Sequence, residues 1–110
     1  MLTIDEIRSR IEPIARKYRL NAVYLFGSYA RNEATEESDV DLLIDRENSS
    51  LCSLFDIGGL YNDLQEVLDV EVDIVTTQML EQKSTKQRNP LLIENLYAER
   101  IQIYNRSNNN

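Results

Sequence analysis

Histidine is absent from this chain of 110 residues, cysteine occurs once and glycine three times. Without His there is no Ser-His-Asp triad, no Cys-His dyad, no imidazole acid–base work and no His-ligated metal. The lone Cys52 excludes an intrachain disulfide and any Cys-rich zinc or iron–sulfur site, and reads as a small buried hydrophobe. With only Gly27, Gly58 and Gly59, neither GxGxxG nor GxxxxGK(S/T) can be written. No apolar run approaches the ~20 residues of a membrane span. The opening Met-Leu-Thr-Ile-Asp-Glu lacks the basic-then-apolar layout of a signal peptide, so a cytoplasmic protein is expected. Positive charge is also scarce. Against 19 Asp+Glu stand 12 Lys+Arg, a net charge of −7, which argues against a long nucleic-acid footprint. What remains for catalysis is carboxylates, hydroxyls and bound divalent cations.

The apolar fraction of 42% is ordinary for a globular chain, and at this length one domain is expected, over residues 1–104. Thr3-Ile4-Asp5-Glu6 fits a capping box, and Ile4, Ile7, Ile11, Ile14 and Tyr18 recur at helical spacing. Pro13 inside that pattern is expected to kink or divide the helix. Ala22–Phe26 is short, apolar and rich in β-formers, a buried strand ended by Gly27-Ser28. Asp39–Ile44 reads as a second strand, with Val40, Leu42 and Ile44 on one face and Asp39, Asp41 and Leu43 on the other. Ser49 or Ser50 is placed to cap a helix whose stripe is Leu54, Ile57, Leu60/Tyr61, Leu64 and Leu68. Gly58-Gly59 weakens that helix, for close packing on the sheet. Val70–Val75 alternates as a third strand, Asn89-Pro90 reads as N-cap and N1 of a helix through about Tyr97, and Ile101–Tyr104 as a short edge strand. The polar residues 105–110 are expected to fray.

The informative segment is Gly27-Ser28, ten residues, then Asp39-Val40-Asp41. Residues i and i+2 of a strand share a face, roughly 7 Å apart. Carboxylates so placed can share a pair of divalent cations about 3.5–4 Å apart, as in two-metal phosphoryl transfer. Asp73, mid-strand in Val70–Val75, completes the cluster if its strand neighbours the second; Glu71, two residues earlier, is the alternative acid. Three converging carboxylates without cations would raise one another's pKa, so the cluster makes sense chiefly as a Mg²⁺ site. Gly27 lets the chain turn sharply so that backbone N–H groups approach a phosphate, and the Ser28 hydroxyl can donate to it. Arg31 either meets a phosphate or locks its loop to Glu33, Glu36 or Glu37. The plainer alternatives are a solvated acidic strand face and an ordinary Gly-Ser turn. Four specified residues at fixed spacing arise by chance only about 7 × 10⁻⁴ times in a chain this long, which favours the nucleotide reading. Lys83, Lys86 and Arg88 form one basic loop that reads as solvated surface.

Phe26-Gly27-Ser28-Tyr29-Ala30-Arg31 followed by Ser38-Asp39-Val40-Asp41-Leu42-Leu43-Ile44 resembles the Gly-Ser…Asp-x-Asp signature of the DNA polymerase β-like nucleotidyltransferase superfamily. More closely it resembles the minimal nucleotidyltransferases, among them the antitoxins encoded beside HEPN-domain toxins. The likeness runs from about Ile4 to Tyr104, taking in Leu54–Leu60, Val72–Thr76 and Asn89–Leu92. It implies an α/β (α+β) fold, a small mixed sheet with helices packed on one side. It implies Asp39, Asp41 and Asp73 as catalytic acids and ligands of two Mg²⁺ ions, and Gly27, Ser28 and Arg31 at the nucleotide. The implied activity is Mg²⁺-dependent transfer of AMP from ATP to a tyrosine of a cognate HEPN ribonuclease toxin. Two positions depart from the pattern. Asn32 stands where Gly is frequent, though Asn tolerates the left-handed conformation, and Glu99-Arg100 stands where a Gly-containing turn is usual. With no second domain expected after about Tyr104 to grip an acceptor, a protein substrate that brings its own docking surface is the acceptor expected. The rival expectations are a non-catalytic antitoxin that masks its toxin stoichiometrically, and a nucleotidyltransferase for small molecules or RNA ends.

Overall fold

The computed structural model describes residues 2–81 and 90–108. Their order is α1 (Ile4–Lys17), β1 (Ala22–Phe26), α2 (Gly27–Ala30), β2 (Val40–Asp45), α3 (Leu54–Leu68), β3 (Val72–Thr76), α4 (Thr77–Glu81), α5 (Pro90–Glu99), β4 (Ile101–Asn105) and a 3₁₀ turn (Arg106–Asn108). The four strands form one sheet in the order β3-β2-β1-β4. β1 is antiparallel to both β2 and β4, while β2 and β3 run parallel. A parallel pair needs a crossover, and α3 supplies it.

The period-2 alternation of β2 decides what each face carries. Val40, Leu42 and Ile44 are fully buried against Ile7 and Ile11 of α1 and Leu60, Leu64 and Leu68 of α3. Each such side chain contributes roughly 1.5–3 kcal/mol by leaving water. The opposite face holds a small second cluster, Leu43 with Leu96 of α5, flanked by Tyr24, Phe26 and Val75. Helices therefore lie on both faces, α1 and α3 on one and α5 on the other, rather than on one side alone. Asp41 and Asp73 alternate with Leu42 and Val72, which puts them on the thinly covered face.

The capping box forms as expected: Glu6 N–H donates to Thr3 Oγ1 at 3.0 Å, and Thr3 N–H to Glu6 Oε1 at 3.2 Å. Pro13 does not divide α1. Its ring and Ser9, whose carbonyl loses a partner, are both exposed, and the buried residues Ile7, Ile11 and Ala15 anchor the helix on either side of it. α3 is capped by Ser53, not by Ser49 or Ser50; Asp56 N–H donates to Ser53 Oγ at 3.3 Å, while Ser49 Oγ accepts from Leu51 N–H. The stripe also begins later than expected, since Leu54 is 82% exposed. Cys52 is exposed rather than buried, because Leu51 takes the core position and Ser53 the cap.

The paired glycines of α3 separate in role. A Cβ on Gly58 would meet nothing within 4 Å, whereas one on Gly59 would stand 3.0 Å from Tyr18 Oη. The close approach is thus to α1 and not to the sheet. Tyr18 in turn donates to Asp63 Oδ2 at 2.7 Å, beside Lys17 Nζ at 2.9 Å on the same oxygen. Gly58→Ala is expected to stabilise the chain by about 0.5–1 kcal/mol through helix propensity. Gly59→Ala is expected to destabilise it instead, by displacing Tyr18 from Asp63. Thermal denaturation of the two single variants checks the opposite signs.

At the C-terminal end, Arg106 ties the chain back onto the domain. Arg106 N–H donates to Asn21 O, and its guanidinium to Arg19 O at 3.1 Å and Asn48 O at 3.0 Å. The expected Asn89 cap and the Lys83/Lys86/Arg88 loop lie outside the described residues. Among the described residues no helix is long and apolar enough to cross a membrane.

Candidate functional site: a glycine-serine turn against sheet-borne acids

β1 runs directly into α2 at Gly27, which takes φ +74°, a left-handed conformation that side chains resist. A Cβ there would collide with Asp41 Oδ2 and lie 3.1 Å from Asp41 Cγ. Glycine is therefore required twice at this position, for its backbone and for the room it leaves the acid. Phe26, the residue before the turn, pairs with Asp41 in the antiparallel register, which brings the two together. No side chain caps the first turn of α2. Asn32 takes φ 60°, the left-handed state its side chain tolerates, and so replaces glycine without opening the loop.

In the parallel pair β2/β3, Asp41 stands opposite Asp73. Asp41 is pushed up to about 6, first by burial, then by the charge and hydrogen bond of Asp73, and further by Asp39. Asp39 is not in β2, which starts at Val40; it is exposed on the preceding loop. Its charge reaches Asp41, but its carboxylate does not close a shell with the other two. Among the described residues no three acids converge tightly enough to hold a metal ion by themselves. Glu71 is engaged elsewhere, accepting from the Tyr61 hydroxyl at 3.4 Å. Register thus pairs Asp73, not Glu71, with Asp41. Burial, then Glu71, Asp73 and Asp39, push the Tyr61 hydroxyl up, so this tyrosine borders the same acidic field.

This donor set fits Mg²⁺. The ligands are hard oxygens, and Mg²⁺ usually takes one or two carboxylates and completes its octahedron with water and substrate phosphates instead of a protein cage. Among the described residues no lysine or arginine pairs with Asp39, Asp41 or Asp73.

Gly27, Ser28, Arg31 and Asp41 line one open cavity of about 370 Å³, together with Phe26, Leu96 and Glu99. Of the two expectations for Arg31, the lock onto its own loop is seen, with a second carboxylate joining it. Its Nε donates to Glu33 Oε2 at 3.0 Å, locking the loop, while its Nη1 donates to Glu99 Oε2 at 3.2 Å across the cavity. These carboxylates hold the guanidinium even more firmly protonated than usual. Glu99 and Tyr61 were not legible as site residues: Glu99 lies 68 positions from Arg31, and nothing local marks the pair.

A strand that ends in a Gly-Ser turn, packed on paired acids of the neighbouring strands, is the architecture of a nucleotidyltransferase. The chain belongs to the polymerase beta nucleotidyltransferase family, whose model matches residues 9–109. Protein adenylyltransferase MntA of Thermococcus cleftensis is 36% identical over 84 residues, 73% of this chain and 83% of its own. A solved structure provisionally described as a minimal nucleotidyltransferase superposes with a TM-score of 0.66 at 34% identity, covering 91% of this chain and 95% of that one. A crystal structure of a toxin–antitoxin with AMP-PNP gives a TM-score of 0.65, covering 89% and 73%; at 24% identity it speaks for the fold alone.

Proposed function

We propose that this chain transfers AMP from ATP to a tyrosine hydroxyl of a partner HEPN ribonuclease toxin and thereby acts as its antitoxin. The observation that carries the reading is the juxtaposition of Gly27 and Asp41, which sets a phosphate-binding turn against an acid in one cavity. The relative named as a protein adenylyltransferase supports the acceptor class. Asp41 and Asp73, joined by Asp39, would hold two Mg²⁺ ions. When bound, these would neutralise charge on the triphosphate and polarise the α-phosphate. Backbone N–H groups of the α2 turn and the Ser28 hydroxyl bind the triphosphate, and Arg31 adds a cation to it. Asp73 takes the proton of the acceptor hydroxyl. The tyrosine oxygen bonds the α-phosphorus, the bond to the β-phosphate oxygen breaks, and pyrophosphate leaves. The net charge of −7 suits docking on the basic surface expected of a ribonuclease.

Mass spectrometry of the toxin encoded beside this chain, incubated with it, ATP and Mg²⁺, tests the proposal. A mass gain in steps of AMP on a tyrosine is expected, lost with Asp39→Asn/Asp41→Asn. Neutralisation of the toxin at equimolar ratio without any mass gain would replace transfer by masking.

A further inference from the structure

We propose that Glu99 is a built-in rival of the triphosphate for Arg31 and so sets nucleotide affinity. The inference rests on the reading above, in which Arg31 meets the triphosphate. Two carboxylates hold the guanidinium, but they are not equivalent. Glu33 lies two residues along the same turn and does not line the cavity, whereas Glu99 comes from α5 and lines it together with Arg31, Gly27, Ser28 and Asp41.

Glu99 is also the last residue of α5, where a helix favours cations and disfavours a carboxylate. Arg31, the residue that ends α2, is its compensation, and α2 and α5 are in contact. Both side chains are about two-fifths exposed, so the pair is weak enough to exchange. A triphosphate offers the same guanidinium more charge and several acceptor oxygens. An anion seated at Gly27 and Ser28 therefore takes over Nη1, while Glu33 keeps Nε and fixes the side chain's direction.

Titration calorimetry with a non-hydrolysable ATP analogue and Mg²⁺ tests this on the full chain. Glu99→Gln is expected to tighten binding roughly three- to tenfold, with the gain shrinking as salt is raised. Arg31→Gln is expected to weaken binding about tenfold or more. In the Arg31→Gln background the Glu99→Gln gain is expected to fall below about twofold, since the rivalry has lost its object. No change or weaker binding in Glu99→Gln overturns the proposal, as does an equal gain in both backgrounds, which would mark Glu99 as general repulsion. Undiminished binding in Arg31→Gln would instead remove the reading on which it rests. All three variants lie at exposed positions, and their melting curves verify that the fold is intact.

Discussion

Asp41→Asn is expected to lower AMP transfer by at least about 10³-fold and, at the same time, to raise the melting temperature of the metal-free chain at neutral pH. The two effects have one cause. Asp41 faces Asp73 across the β2/β3 register and is pushed up to about 6 by burial first and by that neighbour second. A carboxyl that binds its proton more tightly folded than unfolded favours the folded state only while protonated. The contribution of Asp41 to the stability of the metal-free chain should therefore fall as pH rises from about 4 to about 6 and stay lowered above it. Asparagine carries no charge and its amide can donate to Asp73, so the variant keeps the contact without the repulsion. Water reaches part of this carboxyl, so the gain at pH 7 should be roughly 1 kcal/mol, or about 4 °C for a chain of this size. Melting curves of both proteins from pH 4 to 8 in chelator check it: the advantage of the variant over the parent grows from about pH 4 to about pH 6 and holds above it. An advantage that does not grow through this window would show that Asp41 is not held above its ordinary value. Stability sacrificed at one residue for charge that only the reaction needs is the usual mark of a catalytic position.

Much of this arrangement was legible because its signals are local. The capping box at Thr3 and Glu6 needs three intervening bonds, β1 announces itself as five apolar residues ended by glycine, and Asn32 falls where a left-handed residue is required. The pairing of Asp73 with Asp41 followed once β3 was placed beside β2, since period 2 fixes which face each side chain takes. What was not legible depends on residues far apart in the chain. Asp39 falls outside β2, because the 33–39 loop reaches the sheet only at Val40, where Val40 N–H finds Glu71 O. Gly59 answers to Tyr18, forty-one positions earlier, and Arg31 to Glu99, 68 positions later. Cys52 has apolar character, yet it lies between a buried leucine and a capping serine, and that geometry turns it outward. Composition states what a side chain prefers; the neighbours decide whether the preference is met.

Gly27→Ala is expected to abolish transfer even though it removes no functional group. At φ +74° a side chain costs about 1–2 kcal/mol, which a chain of this size can survive. The larger consequence is steric, because the new Cβ would occupy the space of Asp41 Oδ2. One of the two must move. If Asp41 turns away, the acid pair proposed to hold the metal is broken; if the turn is pushed back, the amides proposed to bind phosphate retreat from the acids. Either route separates the two halves of the site, so transfer should fall by at least about 10²-fold while the chain stays folded. Binding distinguishes the routes. Displacement of Asp41 weakens Mg²⁺ more than the nucleotide, and displacement of the turn weakens the nucleotide more than Mg²⁺, both measurable by titration calorimetry. Ser28→Ala serves as the comparison, since it deletes one hydroxyl and leaves the turn in place; it should cost only about tenfold. Activity retained in Gly27→Ala would mean that the close approach of Gly27 and Asp41 is incidental, and the reading of this cavity as the place of transfer would fall with it.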